Sequence, residues 1–379
     1  MTSKRDTTEL KVSLLSNGVN FPLDLFERYS GDFYENLYVY GKTSRVKKEH
    51  RIPQVLLLGD GVISALLRRE NTPWSLRIEE NKVNLYHNST HFRVLELPEK
   101  PAYFGKLLGD GTPIESIVAV AGEDTPGYFL FPQCYYFDKK LPCGFCSLKG
   151  TRNNEGKHFV TEYNEGNISE ATRIFQNDDW RHIPLISLTT GTTETDDENR
   201  EKIIKPIKAM YDVCDPKIPI HLLAHPPNDF GLIDELKEAG VTTIAFNLEV
   251  FDREIFGKTC PGKEKLYGYD KWIDSLEYAR NVFGDFNVYC GLVWGLEPPE
   301  STINGHRYFL ERGINLASNI FHTDQKSVFG NMPHPSENLI MKIATAQDKM
   351  YDEFPEATTI FPVSMRSTID WEIRQGYLK

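Results

Sequence analysis

Three cysteines lie within thirteen residues of the chain, where Cys134, Cys143 and Cys146 form the pattern Cys-x8-Cys-x2-Cys. The two residues between Cys143 and Cys146 let both sulfurs point toward one metal centre, and Cys134 adds a third thiolate. The other three cysteines are scattered, and the first residues carry no secretion signal, so a disulfide framework is not expected. The spacing predicts a metal site with three thiolate ligands.

Short apolar runs alternate with helical stretches along the second part of the chain. The runs, each a candidate for a buried strand, span residues 127–132, 183–190, 218–224, 241–250, 286–295 and 314–322. Continuous apolar strands separated by helices are typical of a parallel sheet covered by helices, and no glycine-rich dinucleotide fingerprint is present. The pattern predicts an α/β fold, a partial (β/α)6 TIM-like barrel, with catalytic groups at the carboxyl ends of its strands.

The residues before the barrel contain short aromatic and β-branched runs that are broken by Gly and Asn. We expect an N-terminal α+β extension over residues 1–120, the barrel over 121–354, and a C-terminal tail over 355–379 that closes the barrel mouth. Within the extension, residues 60–69 are predicted to form a helix.

The composition is that of a globular chain, with 40% hydrophobic, 26% charged and 12% aromatic residues. Forty-three basic and 54 acidic side chains give a net charge of −11, and no block of Lys and Arg is long enough to follow a phosphate backbone. No apolar run reaches the ~20 residues that a membrane span needs. We therefore expect a cytoplasmic protein that acts on a small molecule and binds neither nucleic acid nor a membrane.

The cysteine loop resembles that of the radical S-adenosylmethionine (radical SAM) superfamily. Three cysteines follow the first strand of a predicted (β/α)6 barrel, and an aromatic residue, Phe145, precedes the last of them. The common spacing there is Cys-x3-Cys-x2-Cys, so the first gap of eight residues is a departure. The resemblance is nearest to the biotin-synthase-like and lipoyl-synthase-like branches.

This resemblance implies that the three cysteines bind a [4Fe-4S] cluster whose fourth iron chelates S-adenosylmethionine. It implies an electron donor such as flavodoxin or ferredoxin, and a 5′-deoxyadenosyl radical that abstracts hydrogen from a small-molecule substrate. The branches it resembles suggest a role in the biosynthesis of a cofactor, a natural product or another small metabolite.

Later strand ends resemble the cofactor-binding elements of the same superfamily. The second strand ends in Thr189-Thr190-Gly191-Thr192, where the superfamily has a glycine-rich turn that meets the methionine amino group. Carbonyls and hydroxyls of such a run can accept from an ammonium group. The fourth strand ends in Asn247 and Glu249, and the resemblance implies that Glu249 contacts the amino group or the ribose. The resemblance also implies a basic residue that contacts the cofactor carboxylate, which is Lys258, with Lys263 and Arg253 as alternatives. The remaining implied cofactor contacts are Gly291, Val293, Gly295 and Phe321.

Three histidines are candidates for contact with the substrate, and one further cysteine is a candidate for catalysis. His221 and His225 lie near the end of the third strand, where a spacing of four puts two side chains on the same face, and His322 ends the sixth. We predict that these three bind substrate. Cys260 lies in a loop near the predicted cofactor edge, and the resemblance implies a catalytic role for such an extra thiol.

The same residues also allow two other classes of function. A zinc-stabilised binding protein would use the three cysteines and His158 as a closed Cys3His site. A metal-dependent hydrolase or lyase would use His221, His225 and Glu249 as ligands, and its activity would survive Cys146→Ala. The radical SAM hypothesis predicts that this substitution removes both the cluster and cofactor cleavage.

Overall fold

The structure, a computed structural model, describes residues 3–35, 50–150, 164–178, 181–324 and 326–379. It begins with helix α1 (Lys4–Asn17), which Ser3 caps by accepting a hydrogen bond from the Asp6 amide at 3.0 Å. Two small antiparallel sheets follow, one of two strands and one of three. Their strands are β1 (Val55–Gly59), β2 (Val62–Ala65), β3 (Trp74–Glu79), β4 (Lys82–His87) and β5 (Thr90–Leu95).

The predicted helix over residues 60–69 is wrong, because this segment forms the turn and second strand of a hairpin. Gly59 pairs with Val62 across the two-residue turn Asp60-Gly61, in which both residues have positive φ, 54° and 74°. Such a turn matches the twist of two antiparallel strands and favours the dipeptide Asp-Gly. The dipeptide was therefore the sequence signal for a hairpin.

The largest sheet contains seven strands. They are β6 (Val118–Ala121), β7 (Thr125–Cys134), β8 (Ile186–Thr192), β9 (Ile220–Leu223), β10 (Thr243–Ala245), β11 (Val288–Trp294) and β12 (Asn315–Ile320), in the spatial order 12-11-10-9-8-7-6. β6 pairs antiparallel with β7, and the other neighbours pair in parallel. The six parallel strands coincide with the six predicted apolar runs, so the predicted α/β partial barrel is confirmed.

Helices follow each of the parallel strands. They are α2 (Tyr135–Asp138), α3 (Glu165–Gln176), α4 (Asp196–Asn199), α5 (Lys205–Tyr211), α6 (Gly231–Glu238), α7 (Arg253–Thr259), α8 (Pro261–Leu266), α9 (Tyr269–Phe283), α10 (Pro299–Leu310), α11 (Glu337–Glu353) and α12 (Asp370–Arg374). A π-helical turn, Arg200–Ile204, joins α4 to α5. α9 illustrates their packing, since it buries Trp272, Leu276 and Ala279 at the spacing of one helix face. None of the described helices is both long and apolar enough to cross a membrane.

The C-terminal segment joins the N-terminal part to the barrel through a buried ion pair. Lys11 Nζ lies 2.7 Å from Glu372 Oε1, and both side chains are fully buried. Lys11 also donates to the Met365 carbonyl at 2.6 Å and to Ser364 Oγ at 3.1 Å. Ser364 Oγ in turn accepts from the Ile63 amide at 3.0 Å. These bonds fix the segment that carries Met365 beside the cavity described next.

Candidate active site

A cavity of about 480 Å³ lies at the carboxyl ends of β7, β8, β9 and β10. Cys134 is the last residue of β7, and Cys143 and Cys146 lie in the loop that follows α2. All three thiols line the cavity, and none is in a disulfide. The structure thus brings the three predicted metal ligands together at the edge of the sheet where α/β barrels place their chemistry.

The long gap between Cys134 and Cys143 is occupied by helix α2. The helix makes one turn, and Lys140, with a φ of 59°, reverses the chain so that the Leu141 amide donates to the Tyr136 carbonyl at 2.8 Å. Beyond this reversal, the Cys146 amide donates to the Cys143 carbonyl at 3.0 Å. The departure from the common spacing therefore adds one helical turn and still leaves all three thiols in one cavity.

The surroundings of the three thiols change their acidity in different directions. Burial raises the pKa of Cys134, and it raises the pKa of Cys146 to about 12. A hydrogen bond with Cys260 lowers the pKa of Cys143. A bound cation would be needed to hold all three as thiolates, and its binding would release protons. Three sulfur donors on one buried wall fit the ligand chemistry of an iron–sulfur cluster.

The Thr-rich end of β8 forms the wall next to Cys134. Thr189, Thr190, Gly191 and Thr192, which are predicted to contact the cofactor, all line the cavity. Thr192 pairs with Cys134 across the two strands. A Cβ atom on Gly191 would lie 1.6 Å from the Gln133 carbonyl oxygen, so only glycine lets the two strand ends approach this closely.

We expect Gly191→Ala to destabilise the protein by about 1–3 kcal/mol, the usual cost of overpacking, because the added methyl group meets backbone and not a movable side chain. A urea unfolding curve measures the change, and the iron bound after reconstitution reports on the cysteine wall. Gly257→Ala is the matched control, since its Cβ would make an ordinary contact at 3.6 Å inside helix α7. Equal stability of the two variants would contradict the argument.

Glu249 and Lys263 form a buried pair on the opposite side of the cysteine loop. Lys263 Nζ lies 3.0 Å from Glu249 Oε1, donates to the Asn247 carbonyl at 2.7 Å and sits 4.4 Å from the centre of the Trp272 ring. Burial acts to lower the pKa of Lys263, but the charges of Glu249 and of the nearby thiols outweigh it and raise that pKa. Asn247, Glu249 and Lys263 line the cavity, which therefore contains a fixed cation and a fixed carboxylate.

Lys258, the basic residue predicted to contact the cofactor, lies away from the cavity. Its side chain is 72% exposed and pairs with Glu254 one turn earlier on α7 at 2.6 Å. Arg253 also faces solvent, where it pairs with Asp270. The prediction is wrong for Lys258 because α7 presents that position outward, whereas Lys263, the alternative, lies on α8 and points inward.

Four other predicted cofactor residues stand behind the cavity wall and do not line it. Gly291 gives space to Asn247, because a Cβ there would lie 2.4 Å from the Asn247 amide group, and its own amide donates to Asn247 Oδ1 at 2.9 Å. The Val293 amide donates to the Glu249 carbonyl at 2.8 Å. Glu249 itself has a φ of 76°, a strained conformation that these strand contacts hold. The other two are Gly295, which packs against Pro335, and the buried Phe321.

The histidines predicted to bind substrate have different surroundings. His225 lines the cavity; its Nδ1 lies 2.6 Å from the Pro226 carbonyl, so that nitrogen donates and Nε2 accepts from the Tyr136 hydroxyl at 2.5 Å. His221 and His322 are not in the cavity wall. His221 is buried against Tyr289 and contacts Thr243 Oγ1 at 2.8 Å. The same-face prediction fails because β9 ends at Leu223, before His225.

Burial lowers the pKa of both His221 and His225 to about 3, so both rings are neutral at ordinary pH. His221 cannot serve as the metal ligand that the hydrolase hypothesis requires, since its ring lies outside the cavity. Among the described residues, no three Cys, His, Asp or Glu side chains are grouped closely enough to share one metal ion, and this holds for the three cysteines too, whose sulfurs would each bind a different iron of a cluster. His158, the fourth zinc ligand of the binding-protein hypothesis, lies outside the described residues.

Cys260, predicted to be catalytic, is fully buried and does not line the cavity. Its neighbour along the chain, Thr259, accepts a hydrogen bond from the Gly144 amide at 2.8 Å, so Cys260 lies close to the cysteine loop. The structure therefore does not bring the Cys260 thiol to the cavity, and its predicted catalytic role stays a prediction.

Several cavity residues come from parts of the chain far from the barrel motifs. Gln54 precedes β1, Val120 lies on β6, and Met365 and Arg366 lie in the C-terminal segment. Gln54 Nε2 donates to the Val120 carbonyl at 2.9 Å. None of these residues belongs to a local motif, so no sequence pattern pointed to them beyond the general expectation that the tail closes the barrel mouth.

Comparison with known proteins agrees with this architecture. Residues 133–320 match the sequence model of the radical SAM superfamily. Bacteriochlorophyllide c C-7(1)-hydroxylase from Chlorobaculum limnaeum is 21% identical over 318 residues, which cover 79% of this chain and 79% of that protein. The crystal structure of methylornithine synthase (PylB) has a TM-score of 0.50 and 16% identity, and the match covers 69% of this chain and 70% of that one. At that identity, the likeness to methylornithine synthase concerns the fold alone.

The matched segment begins one residue before Cys134 and ends with β12, so it covers the cysteine loop and all the strand ends that surround the cavity. With the strand order and the family match in agreement, the chain belongs to the radical SAM superfamily of enzymes.

Proposed function

We propose that Cys134, Cys143 and Cys146 hold a [4Fe-4S] cluster and that the protein uses it to cleave S-adenosylmethionine reductively. Membership of the superfamily implies an iron–sulfur cluster, S-adenosylmethionine, a substrate and a reductant. When bound, these groups supply a 5′-deoxyadenosyl radical that abstracts hydrogen from the substrate. The observation that carries the proposal is the placement of three half-buried cysteines in one cavity with a fixed cation and carboxylate.

The described side chains suit the polar ends of the cofactor. The carbonyls and hydroxyls of residues 189–192 are acceptors for the methionine ammonium group. Lys263 is the cation for its carboxylate, and the second oxygen of Glu249 is an acceptor for the ammonium group or the ribose hydroxyls. Lys263 and Glu249 hold each other in place, so binding would cost little side-chain ordering.

The substrate would occupy the part of the cavity that is lined by residues outside the cysteine loop. That wall is formed by Val120 and Phe129 on the sheet, by Gln54 and by Met365 and Arg366 of the tail. At about 480 Å³ for cofactor and substrate together, the cavity lies in the lower half of the range for single-ligand sites, about 300–1,000 Å³. This favours a small metabolite. The extension over residues 1–120 and the tail over 355–379 would then serve as the substrate-side wall of the barrel.

The relative from Chlorobaculum limnaeum acts, by its name, on a bacteriochlorophyllide. We take this as support for a role in the biosynthesis of a cofactor or another small metabolite. The reductant would be a one-electron carrier such as flavodoxin or ferredoxin, acting in the cytoplasm.

The test is anaerobic reconstitution with iron and sulfide, reduction with dithionite, and detection of 5′-deoxyadenosine by mass spectrometry after S-adenosylmethionine is added. We expect formation by the wild type and by Cys290→Ala, which changes a buried cysteine on β11, and none above background by Cys134→Ala. One zinc ion per chain and no cluster in the wild type would refute the proposal.

A further inference from the structure

The side-chain amide of Gln54 lies in the cavity wall, and only one of its two ends has a partner. β6 is an edge strand of the seven-stranded sheet, and its Val120 carbonyl accepts from Gln54 Nε2 at 2.9 Å. A carbonyl can only accept, so this bond fixes which end of the amide is the nitrogen. The other end, Oε1, is buried and has no hydrogen-bond partner among the described residues. Gln54 is only 7% exposed, yet it lines the cavity, so the wall contains a buried acceptor that the fold leaves unsatisfied.

Contacts around Gln54 keep this acceptor in place. The Gln54 backbone amide donates to the Tyr34 carbonyl at 3.1 Å, and the Tyr34 hydroxyl accepts from the Val120 amide at 3.2 Å. Tyr34 and Gln54 thus occupy both backbone groups of Val120, as a neighbouring strand would. A half-turn of the Gln54 side-chain amide would bring Oε1 against the Val120 carbonyl, where two acceptors repel each other. Rotation therefore cannot satisfy both ends of the amide.

The missing donor has to come from a molecule in the cavity, because a buried acceptor that stays unpaired opposes binding of whatever covers it. The proposed function assigns the polar ends of S-adenosylmethionine to residues 189–192, Glu249 and Lys263. These lie on β8 and after β10, whereas Gln54 is bonded to β6 at the edge of the sheet. The donor at Gln54 would therefore belong to the substrate. A site built to pair with a hydroxyl or N–H group rejects a molecule that lacks it much more strongly than an apolar pocket rejects a change of one methylene.

We propose that Gln54 is a substrate-binding residue whose Oε1 accepts a hydrogen bond from a hydroxyl or N–H group of the substrate and so selects molecules that carry such a donor. The proposal rests on the proposed function, since the substrate is the molecule that loses hydrogen to the radical. Gln54 forms and breaks no covalent bond. It holds a polar end of the substrate against the wall that β6 and Met365 of the C-terminal segment form, and thereby excludes purely apolar molecules of the same size.

The first experiment uses the reconstituted enzyme with S-adenosylmethionine and, as its probe, the small-molecule fraction of cells in which the protein occurs. One half of the fraction is left untreated. The other half is permethylated and then saponified, which replaces O–H and N–H hydrogens by methyl groups and restores the carboxylates. The rate of 5′-deoxyadenosine formation is measured against the amount of each half. We expect the wild type to need roughly 5- to 150-fold more of the methylated half for the same stimulation, the factor that an unsatisfied buried acceptor costs.

Two variants separate the acceptor from its surroundings. Gln54→Met keeps the size of the side chain and removes the acceptor, so it should respond almost equally to both halves. Tyr34→Phe is the matched control, because it removes the other side-chain bond to Val120 and should discriminate as strongly as the wild type. The added bulk of the methyl groups acts alike in all three proteins. Equal stimulation of the wild type by both halves, no stimulation of it by the untreated half, or full discrimination by Gln54→Met would overturn the proposal.

The second experiment uses the full chain without a cluster and so distinguishes this proposal from the proposed function. Each protein is incubated with the untreated fraction and recovered by ultrafiltration, and the molecules it retains are identified by mass spectrometry. We expect at least one compound that the wild type and Tyr34→Phe retain and Gln54→Met does not, and whose methylated form the wild type does not retain. If all three proteins retain the same compounds, the proposal fails even where the wild type cleaves S-adenosylmethionine. If such a compound is found and no cleavage occurs, the proposed function fails and the assignment of Gln54 stands.

Discussion

Lys11→Met is expected to lower the free energy of unfolding by about 3–5 kcal/mol, because it leaves the carboxylate of Glu372 buried without its countercharge. No surface substitution should approach this value. Urea unfolding followed by circular dichroism measures the change. The same variant should also loosen the wall that Met365 contributes to the cavity, since Lys11 donates to the Met365 carbonyl.

The matched control removes both charges. In Lys11→Met with Glu372→Leu, no unpaired charge is left, and replacing a buried pair by apolar side chains of similar size is often neutral or stabilising. We therefore expect the double variant to recover most of the loss. A double variant that is less stable than Lys11→Met alone would show that the pair stabilises the fold by its own attraction.

Lys263→Met is expected to reduce 5′-deoxyadenosine formation roughly 10- to 100-fold. Hydrogen bonds to charged groups contribute about 1.5–3 kcal/mol, and each ~1.4 kcal/mol corresponds to a factor of ten. The loss should affect the KM for S-adenosylmethionine, because Lys263 would contact its carboxylate. Steady-state kinetics of the reconstituted enzyme at several S-adenosylmethionine concentrations measures both kcat and KM.

The chain supplies its own control in Lys258→Met, which removes a lysine of the same segment from an exposed pair with Glu254. Exposed pairs one turn apart contribute only about 0.2–0.5 kcal/mol, so turnover and KM should stay at wild-type values. If Lys258→Met impairs the reaction and Lys263→Met does not, the assignment of the cavity cation is wrong.

The barrel strands were predictable because each is a continuous apolar run, and a run of that kind leaves few alternatives to a buried strand. Cys134, Gly191 and Glu249 could be placed at one edge for the same reason, since parallel strands end on the same side of a sheet. The choice between Lys258 and Lys263 could not be made from spacing. Both follow β10 closely, and the break between α7 and α8 at Cys260 decides which side chain turns inward.

The other differences between the predicted and the observed positions of the site residues also depend on contacts that local sequence patterns do not encode. His221 and His225 are equivalent only in a strand that continues past Leu223, and β9 ends there. Gln54 and Arg366 reach the cavity from opposite ends of the chain, and no periodicity relates them to the cysteines. The Asp60-Gly61 turn is the exception, because its dipeptide did specify a hairpin.

The ion pair between Lys11 and Glu372 joins residues 361 positions apart, so it also imposes an order on events during synthesis. A growing chain must keep Lys11 hydrated until residue 372 has emerged, because the site that buries it does not exist before then. The barrel strands and the cysteine loop are complete by that time. The wall carrying Met365 is thus the last part of the cavity to be put in place.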